Sequence, residues 1–247
     1  MELSNNINKI AIEEIKIIKN IPIRIADEEV YRYLGDKKDS SYTGQIEIQN
    51  IIREEIEIAY PLLENRGIYR FIPIDSTSEE GVIITEQGYL FLVNKRVIRF
   101  FQNARFLLVA IATIGPKIEQ VVQERFNKNQ YLKAIVMDAV GTVAVKTVGQ
   151  WLNHYLERKI NQRGFKLSRY FEPGSGDWDI EEQKKIFDIL QPEKIGVNLN
   201  SCYMMQPVKS LSWIRAMGQN LLHSYRNEFS CNYCSLSKCP FRKSDST

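Results

Sequence analysis

Three of the four cysteines fall in one run, Cys231-x-x-Cys234-x-x-x-x-Cys239-Pro240. Thiolates at this spacing can ligate an iron–sulfur cluster or zinc, and the Cys-Pro ending is shared with ferredoxin-type runs although the spacing differs. The run lacks a fourth ligand, which Cys202, His223, a small molecule or a partner would have to supply. Without metal it is simply a terminal tail of thiols. A second concentration of chemistry lies at residues 169–178 and 198–214. The first segment holds Arg169, Glu172, Pro173, Gly174, Ser175, Gly176 and Asp177. Its Pro and Gly turn the chain and expose backbone amides, so Arg169 with the 174–176 backbone suits a carboxylate. Glu172, Asp177, Tyr170 and Trp178 suit a cation. Tyr170, Phe171 and Trp178 would serve equally well as core beneath an ordinary loop. The second segment breaks an apolar run with Gln206-Pro207 and continues through Lys209, Ser210 and Ser212. Core packing is again the plain reading of Tyr203, Met204, Met205 and Trp213, because alternating apolar residues usually mean a half-buried strand.

Acid–base chemistry is thin elsewhere. His154 and His223 are the only histidines, and neither has an acid or thiol at nucleophile spacing. His154 falls in a long helical pattern and reads as a surface or capped residue. There is no Gly-rich phosphate loop, zinc-protease helix or Ser-His-Asp pattern. Such a chain is suited to positioning bound groups.

The elements that must hold these segments read as follows. The chain has 247 residues, which fits one large domain or two small ones, and a net charge of +3, which argues neither for nor against nucleic acid. No apolar run is long enough to span a bilayer, and the N-terminus lacks a secretory pattern, so a cytoplasmic location is expected. Residues 7–18 leave helix and strand both open. Helices are predicted at 26–35, 46–63, 95–103, 117–126, 131–158 and 179–190, the last with Asp179 as N-cap. Ala134, Met137, Val140, Val143, Ala144, Val148 and Leu152 form the buried stripe of the longest. Strands are predicted at 67–74, 82–85, 89–93, 105–114, 201–205 and 211–217. Together they give a single-domain α+β fold with a central mixed or antiparallel sheet flanked by helices.

Over nearly its whole length the chain resembles the reactivation (activation) domain of vitamin B12-dependent methionine synthase, here as a stand-alone member with a cysteine motif at its C-terminus. The resemblance rests first on Leu199, Tyr203, Met205, Pro207, Ser210 and Ser212. It continues in the Pro173-Gly174 loop with an Arg upstream, in Ala112-Thr-Ile-Gly-Pro116 before a helix pair, and in Glu29-Val-Tyr-Arg-Tyr-Leu-Gly35. It implies an activation domain over residues 1–226 and a metal or iron–sulfur tail over 227–247. It also implies binding of S-adenosylmethionine (the methyl donor) and docking on a corrinoid (cobalamin) protein or methionine synthase core. The inactive Co(II) form would there be reduced by one electron and trapped by methylation. Because reactivation needs an electron, the resemblance favours an iron–sulfur cluster over zinc at Cys231, Cys234 and Cys239, and an electron donor as a further partner; nucleic acid and membrane are not expected.

By the same resemblance the cofactor contacts fall on Arg169, Pro173, Gly174, Ser175, Tyr203, Met205, Pro207, Ser210 and Ser212. The corner at Met205-Gln206-Pro207 would present an apolar surface to the corrin ring, with Lys209 near its amide or phosphate edge. Met205→Glu would then abolish docking and leave the fold intact. Two positions depart from the pattern. Ser175 stands where the family has Tyr, and Lys146 stands where a helix glutamate contacts the donor; Gln150, one turn on, offers a polar contact instead. The alternative is a non-catalytic corrinoid-protein binding module with a zinc or iron–sulfur tail that no longer binds the donor.

Overall fold

The structure is a computed structural model that describes residues 14–35, 42–93, 95–175 and 178–221. Its centre is strand β5 (Phe106–Thr113), in which every residue is buried. Phe106, Leu108, Ala110 and Ala112 enter one core, while Leu107, Val109 and Ile111 enter the other. A strand covered on both faces needs apolar residues at every position, which is why this stretch shows no alternation. Burying a side chain such as Leu107 or Ile111 contributes about 1.5–3 kcal/mol.

β5 pairs antiparallel with β2 (Arg66–Ser78) on one side and β9 (Ser210–Gly218) on the other. One half of β2 pairs with β1 (Lys16–Lys19) and the other with β3 (Val82–Thr85), which pairs in turn with β4 (Leu90–Leu92). β6 (Lys166–Leu167) pairs with the C-terminal end of β9. The result is a curled, seven-stranded antiparallel sheet in the order β4-β3-β2-β5-β9-β6, with β1 beside β2. The register of β2 shifts between Ile74 and Ser76, where its pairing passes to β3.

One face of the sheet is covered by α1 (Asp27–Tyr33), α2 (Tyr42–Ala59), α4 (Lys117–Asn127) and the long α5 (Tyr131–Asn161). The expected stripe on α5 is buried, from Ala134 through Leu152. The other face packs on α3 (Lys95–Ile98), on α6 (Gln183–Leu190) and on Phe91, Phe101, Trp178 and Ile195. Asp179 caps the helical turn before α6, its Oδ1 accepting the Glu181 N–H at 3.0 Å. The fold is therefore α+β in a single domain, as the sequence leads one to expect.

Three local readings change. The helix expected over 46–63 begins at Tyr42 and tightens into a 3-10 turn at Tyr60–Leu62, over Pro61. The open stretch 7–18 contains the start of β1; residues 1–13 lie outside the described residues. The expected strand at 201–205 is a turn. Asn200 Oδ1 accepts the N–H groups of Cys202 and Met204, both at 2.9 Å, and Tyr203 has a left-handed φ of +58°. This side-chain turn competes successfully with strand pairing. What remains is a two-residue ribbon of β7 (Asn198–Leu199) with β8 (Met205–Gln206), followed by a cis bond at Gln206-Pro207.

Gly115 ends β5 at a φ of +77°, and a Cβ there would lie 2.9 Å from Glu64 Cβ. Glu64 has little room to yield, since Arg66 at 2.5 Å and Lys117 at 3.0 Å hold its carboxylate. Gly115→Ala is expected to cost about 1–3 kcal/mol in urea unfolding; an unchanged midpoint would contradict the geometry.

Candidate functional site

β9 is fully flanked only at its C-terminal end. Beyond β6, the chain meets it once more, where Phe171 and Ile214 exchange both backbone hydrogen bonds at 2.9 Å. In an antiparallel ladder successive residues direct their backbone groups to opposite sides. Leu211 and Trp213 pair toward β5, so Ser212 shares the outward direction of Ile214. Past Phe171 the chain turns away through Glu172–Ser175, and a hollow of about 230 Å³ opens beside the start of β9.

The loop Glu172, Pro173, Gly174 and Ser175 forms one wall. Ile180 and Gln183 form a second, Met204, Met205 and Val208 a third, and Ser210, Leu211 and Ser212 line the β9 side. Gln183 is buried and ties these parts together. Its Oε1 accepts from Ser212 Oγ at 2.6 Å, and its Nε2 donates to the Tyr203 carbonyl at 3.1 Å. Ser210 Oγ donates to Thr113 Oγ1 at 2.9 Å. Gly174 has a left-handed φ of +77°, and a Cβ there would lie 2.8 Å from Ile180 Cδ1, so loop and helical turn touch.

The residues singled out from sequence divide accordingly. Pro173, Gly174, Ser175, Met205, Ser210 and Ser212 line the hollow. Pro207 is buried between lining residues. Tyr203 contributes its carbonyl to Gln183. Arg169 stands behind the loop, its guanidinium 5.0 Å from the Phe171 ring centroid and 5.7 Å from that of Phe100. Cys202 is exposed in the turn. Gly176, Asp177, His223, Cys231, Cys234 and Cys239 lie outside the described residues.

Two expectations are corrected. The Gly174 and Ser175 amides do not await an anion, because Gly174 N–H donates to the Trp178 carbonyl at 2.8 Å and Ser175 N–H to the Glu172 carbonyl at 3.2 Å. Lys209 does not reach outward toward a partner. It is 9 % exposed, with its Nζ 2.7 Å from Asp138 Oδ1 and 2.9 Å from Thr142 Oγ1. Its stem crosses Gly141, where a Cβ would come within 3.3 Å of it.

That ion pair belongs to a polar stripe on α5 that grips the site-bearing segments. Asp138 and Thr142 hold Lys209. Further along, Asn153 and Glu157 receive Arg215 at 3.1 and 2.5 Å, and Arg215 Nε donates to the Ser168 carbonyl at 2.5 Å. Burial depresses the Arg215 guanidinium below its ordinary value, and Glu157 opposes that shift. Ser168 Oγ donates to the Arg169 carbonyl at 2.7 Å, which fixes where the Pro-Gly loop departs. Between these two grips lies Lys146, hydrogen-bonded to Tyr33 Oη and 4.7 Å from its ring centroid.

No family model matches the chain, and no curated protein matches it in sequence. The fold has a solved counterpart. The chain is similar to a structure described as the MetH reactivation domain bound to AdoHcy, with a TM-score of 0.58 over 87 % of this chain and 80 % of that one. At 11 % identity this likeness to the MetH reactivation domain shows a shared fold. It leaves the roles of individual residues to be argued from the hollow itself.

Gln183, Ile180, Val208 and Leu211 escaped the reading of the sequence; Met204 read there as core but is half exposed, and Glu172 was one of four residues suited to a cation. The signals were faint: the first turn of a helix, and apolar residues beside a Pro. Glu172 is half-buried and lines the hollow. Burial pushes its carboxyl above the usual carboxylate range, while the charges of Lys146 and Arg169 pull it back. A carboxyl whose pKa is higher folded than unfolded loses stability for the fold as pH rises through that folded value. Glu172→Gln is therefore expected to raise the melting temperature at pH 8. The gain should shrink as pH falls below the raised value, in thermal melts followed by circular dichroism. A lower melting temperature for the variant at pH 8 would contradict it.

Proposed function

We propose that this chain binds S-adenosylmethionine in the hollow, docks on a corrinoid protein, and supports the reductive methylation that returns cob(II)alamin to service in a methyltransferase such as methionine synthase. The observation that carries the reading is the single hollow shared by the Pro-Gly loop and the corner at 204–208, on a fold like that of the MetH reactivation domain. AdoHcy, the demethylated form of the donor, is bound by that domain.

The size of the hollow supports a split site. Pockets that enclose a small molecule usually measure about 300–1,000 Å³. At about 230 Å³ this one holds part of a donor and leaves the rest at its mouth. Met204 and Val208, 50 % and 61 % exposed, stand at that mouth. Exposed apolar side chains beside an open ligand site suit a partner that closes over it. The outward N–H and C=O of Ser212 provide the adjacent donor and acceptor that an adenine edge requires.

In this reading the cobalt chemistry belongs to the partner's corrinoid, which takes one electron and then the methyl group from sulfur, releasing a neutral thioether. The protein's own residues bind and orient the donor. The run Cys231, Cys234 and Cys239 would carry an iron–sulfur cluster as the relay for that electron; anaerobically purified protein should then contain iron and absorb broadly in the visible, whereas stoichiometric zinc would assign the tail a structural role.

Two measurements test the reading. Titration calorimetry should show S-adenosylmethionine binding to the full chain; no binding at millimolar donor would leave only a docking module. The docking surface is tested by Met204→Glu with Val208→Glu, expected to weaken binding to a cobalamin-loaded methionine synthase module at least about tenfold with little change in melting temperature. Unchanged affinity would remove this face from the interface. Met205 is a poorer probe, because it is half-buried and packs against the core that includes Val197 and Ile195.

A further inference from the structure

Glu172 is the one ionisable group among the described residues that line the hollow. Pro173, Ile180, Met204, Met205, Val208 and Leu211 share the hollow with it, beside the polar Ser175, Gln183, Ser210 and Ser212. The Ser210 and Ser212 hydroxyls donate inside the protein, to Thr113 and Gln183. Lys146 and Arg169 act on the Glu172 carboxylate but are not among the lining residues. The anion is thus a wall of the hollow, and the two cations that act on it are not. Lys146 lies on α5, where it meets Tyr33 of α1, and Arg169 lies on the loop itself beside Phe100 and Phe171.

Lys146, which stands where a carboxylate would be expected to meet a cationic donor, is not a wall of the hollow, and its charge favours the ionised form of the carboxylate that is. A primary ammonium wants several hydrogen-bond acceptors, whereas a sulfonium donates no hydrogen bond and needs one anion among carbons. Glu172 supplies that anion, and the apolar residues of the lining supply the carbons.

Resting on the reading of the hollow as a donor site, we infer that Glu172 is the specificity-determining residue that selects the charged sulfonium of S-adenosylmethionine over the neutral thioether S-adenosylhomocysteine, with Lys146 as the positioning charge. Selection of this kind favours the substrate and ejects the product once the methyl group, and with it the positive charge, has gone.

The test is titration calorimetry of both ligands on the full chain, for the wild type, Glu172→Gln, Lys146→Met and Asp177→Asn. The wild type should prefer S-adenosylmethionine by roughly tenfold. Glu172→Gln should erase that preference by weakening S-adenosylmethionine alone, while Asp177→Asn should keep it. The preference should fade as pH falls through the raised value of Glu172. In Lys146→Met, which removes a charge that lowers that value, it should fade at a higher pH. Circular dichroism melts confirm that each variant is folded.

Equal wild-type affinities for the two ligands would overturn the inference and leave the donor site standing. So would a Glu172→Gln variant that weakens both ligands equally, since the carboxylate would then meet the amine that both share. Loss of the preference in Asp177→Asn rather than Glu172→Gln would move the role to Asp177. If neither ligand binds the wild type, the donor site itself is wrong.

Discussion

The polar seam between α5 and the outer strand β9 is the constraint on which the site depends. A strand edge left bare offers unpaired backbone groups to any other strand, and folds usually cover it. Here β6 and Phe171 cover only the C-terminal part of β9. The remaining edge stays open at Ser212 because the segments on either side are held apart. Lys209 is tied to Asp138 and Thr142, and Arg215 is tied to Asn153, Glu157 and the Ser168 carbonyl. Asp138, Thr142, Lys146, Asn153 and Glu157 recur at three- and four-residue spacing or its multiples, so they follow one side of the helix. The hollow is what the Pro-Gly loop, the start of α6 and the 204–208 corner leave beside that edge.

Buried charge in this seam is distributed by purpose. Arg215 is 3 % exposed and spends its donors on three acceptors, which is the condition under which a buried cation is tolerated. Lys209, nearly as buried, does the same with Asp138 and Thr142. Glu172 differs. Burial opposes its charge, and the two cations that favour it do not fully offset that penalty, since the net displacement is upward. A carboxylate with a raised pKa at the wall of a hollow marks a candidate binding site.

The sequence made the frame legible and the hollow only partly so. β5 announced itself through eight apolar residues in a row, and α5 through a stripe at helical spacing, because burial dictates residue type directly. The Pro-Gly loop was visible as a turn. The 201–205 segment misled because Tyr203 and Met205 alternate as a strand would, while the deciding group is the Asn200 side chain just before them. Gln183 gave no sign at all. Its partners lie at Tyr203 and Ser212, 20 and 29 residues away, and only the packing of α6 brings them together. Lys146 was legible as a reversed charge, but nothing in the sequence shows that it is absent from the walls of the hollow while Glu172 is one of them.

An open hollow and a desolvated carboxylate fit a site that is completed by something else. As long as water reaches Glu172 from the mouth, its field is screened and its preference for a cation is modest. A partner surface laid over Met204 and Val208 would expel that water. The same charges would then act through a lower effective dielectric, strengthening the carboxylate's attraction for a sulfonium over a thioether. Lys146 and Arg169 would matter more as well, because without them a fully enclosed carboxylate would take up a proton and lose its selectivity. On the proposed reading, docking and charge selection would be coupled through the exclusion of water at one rim: a partner seated on the exposed apolar corner would supply the cover, and the two cations would favour the charged carboxylate beneath it.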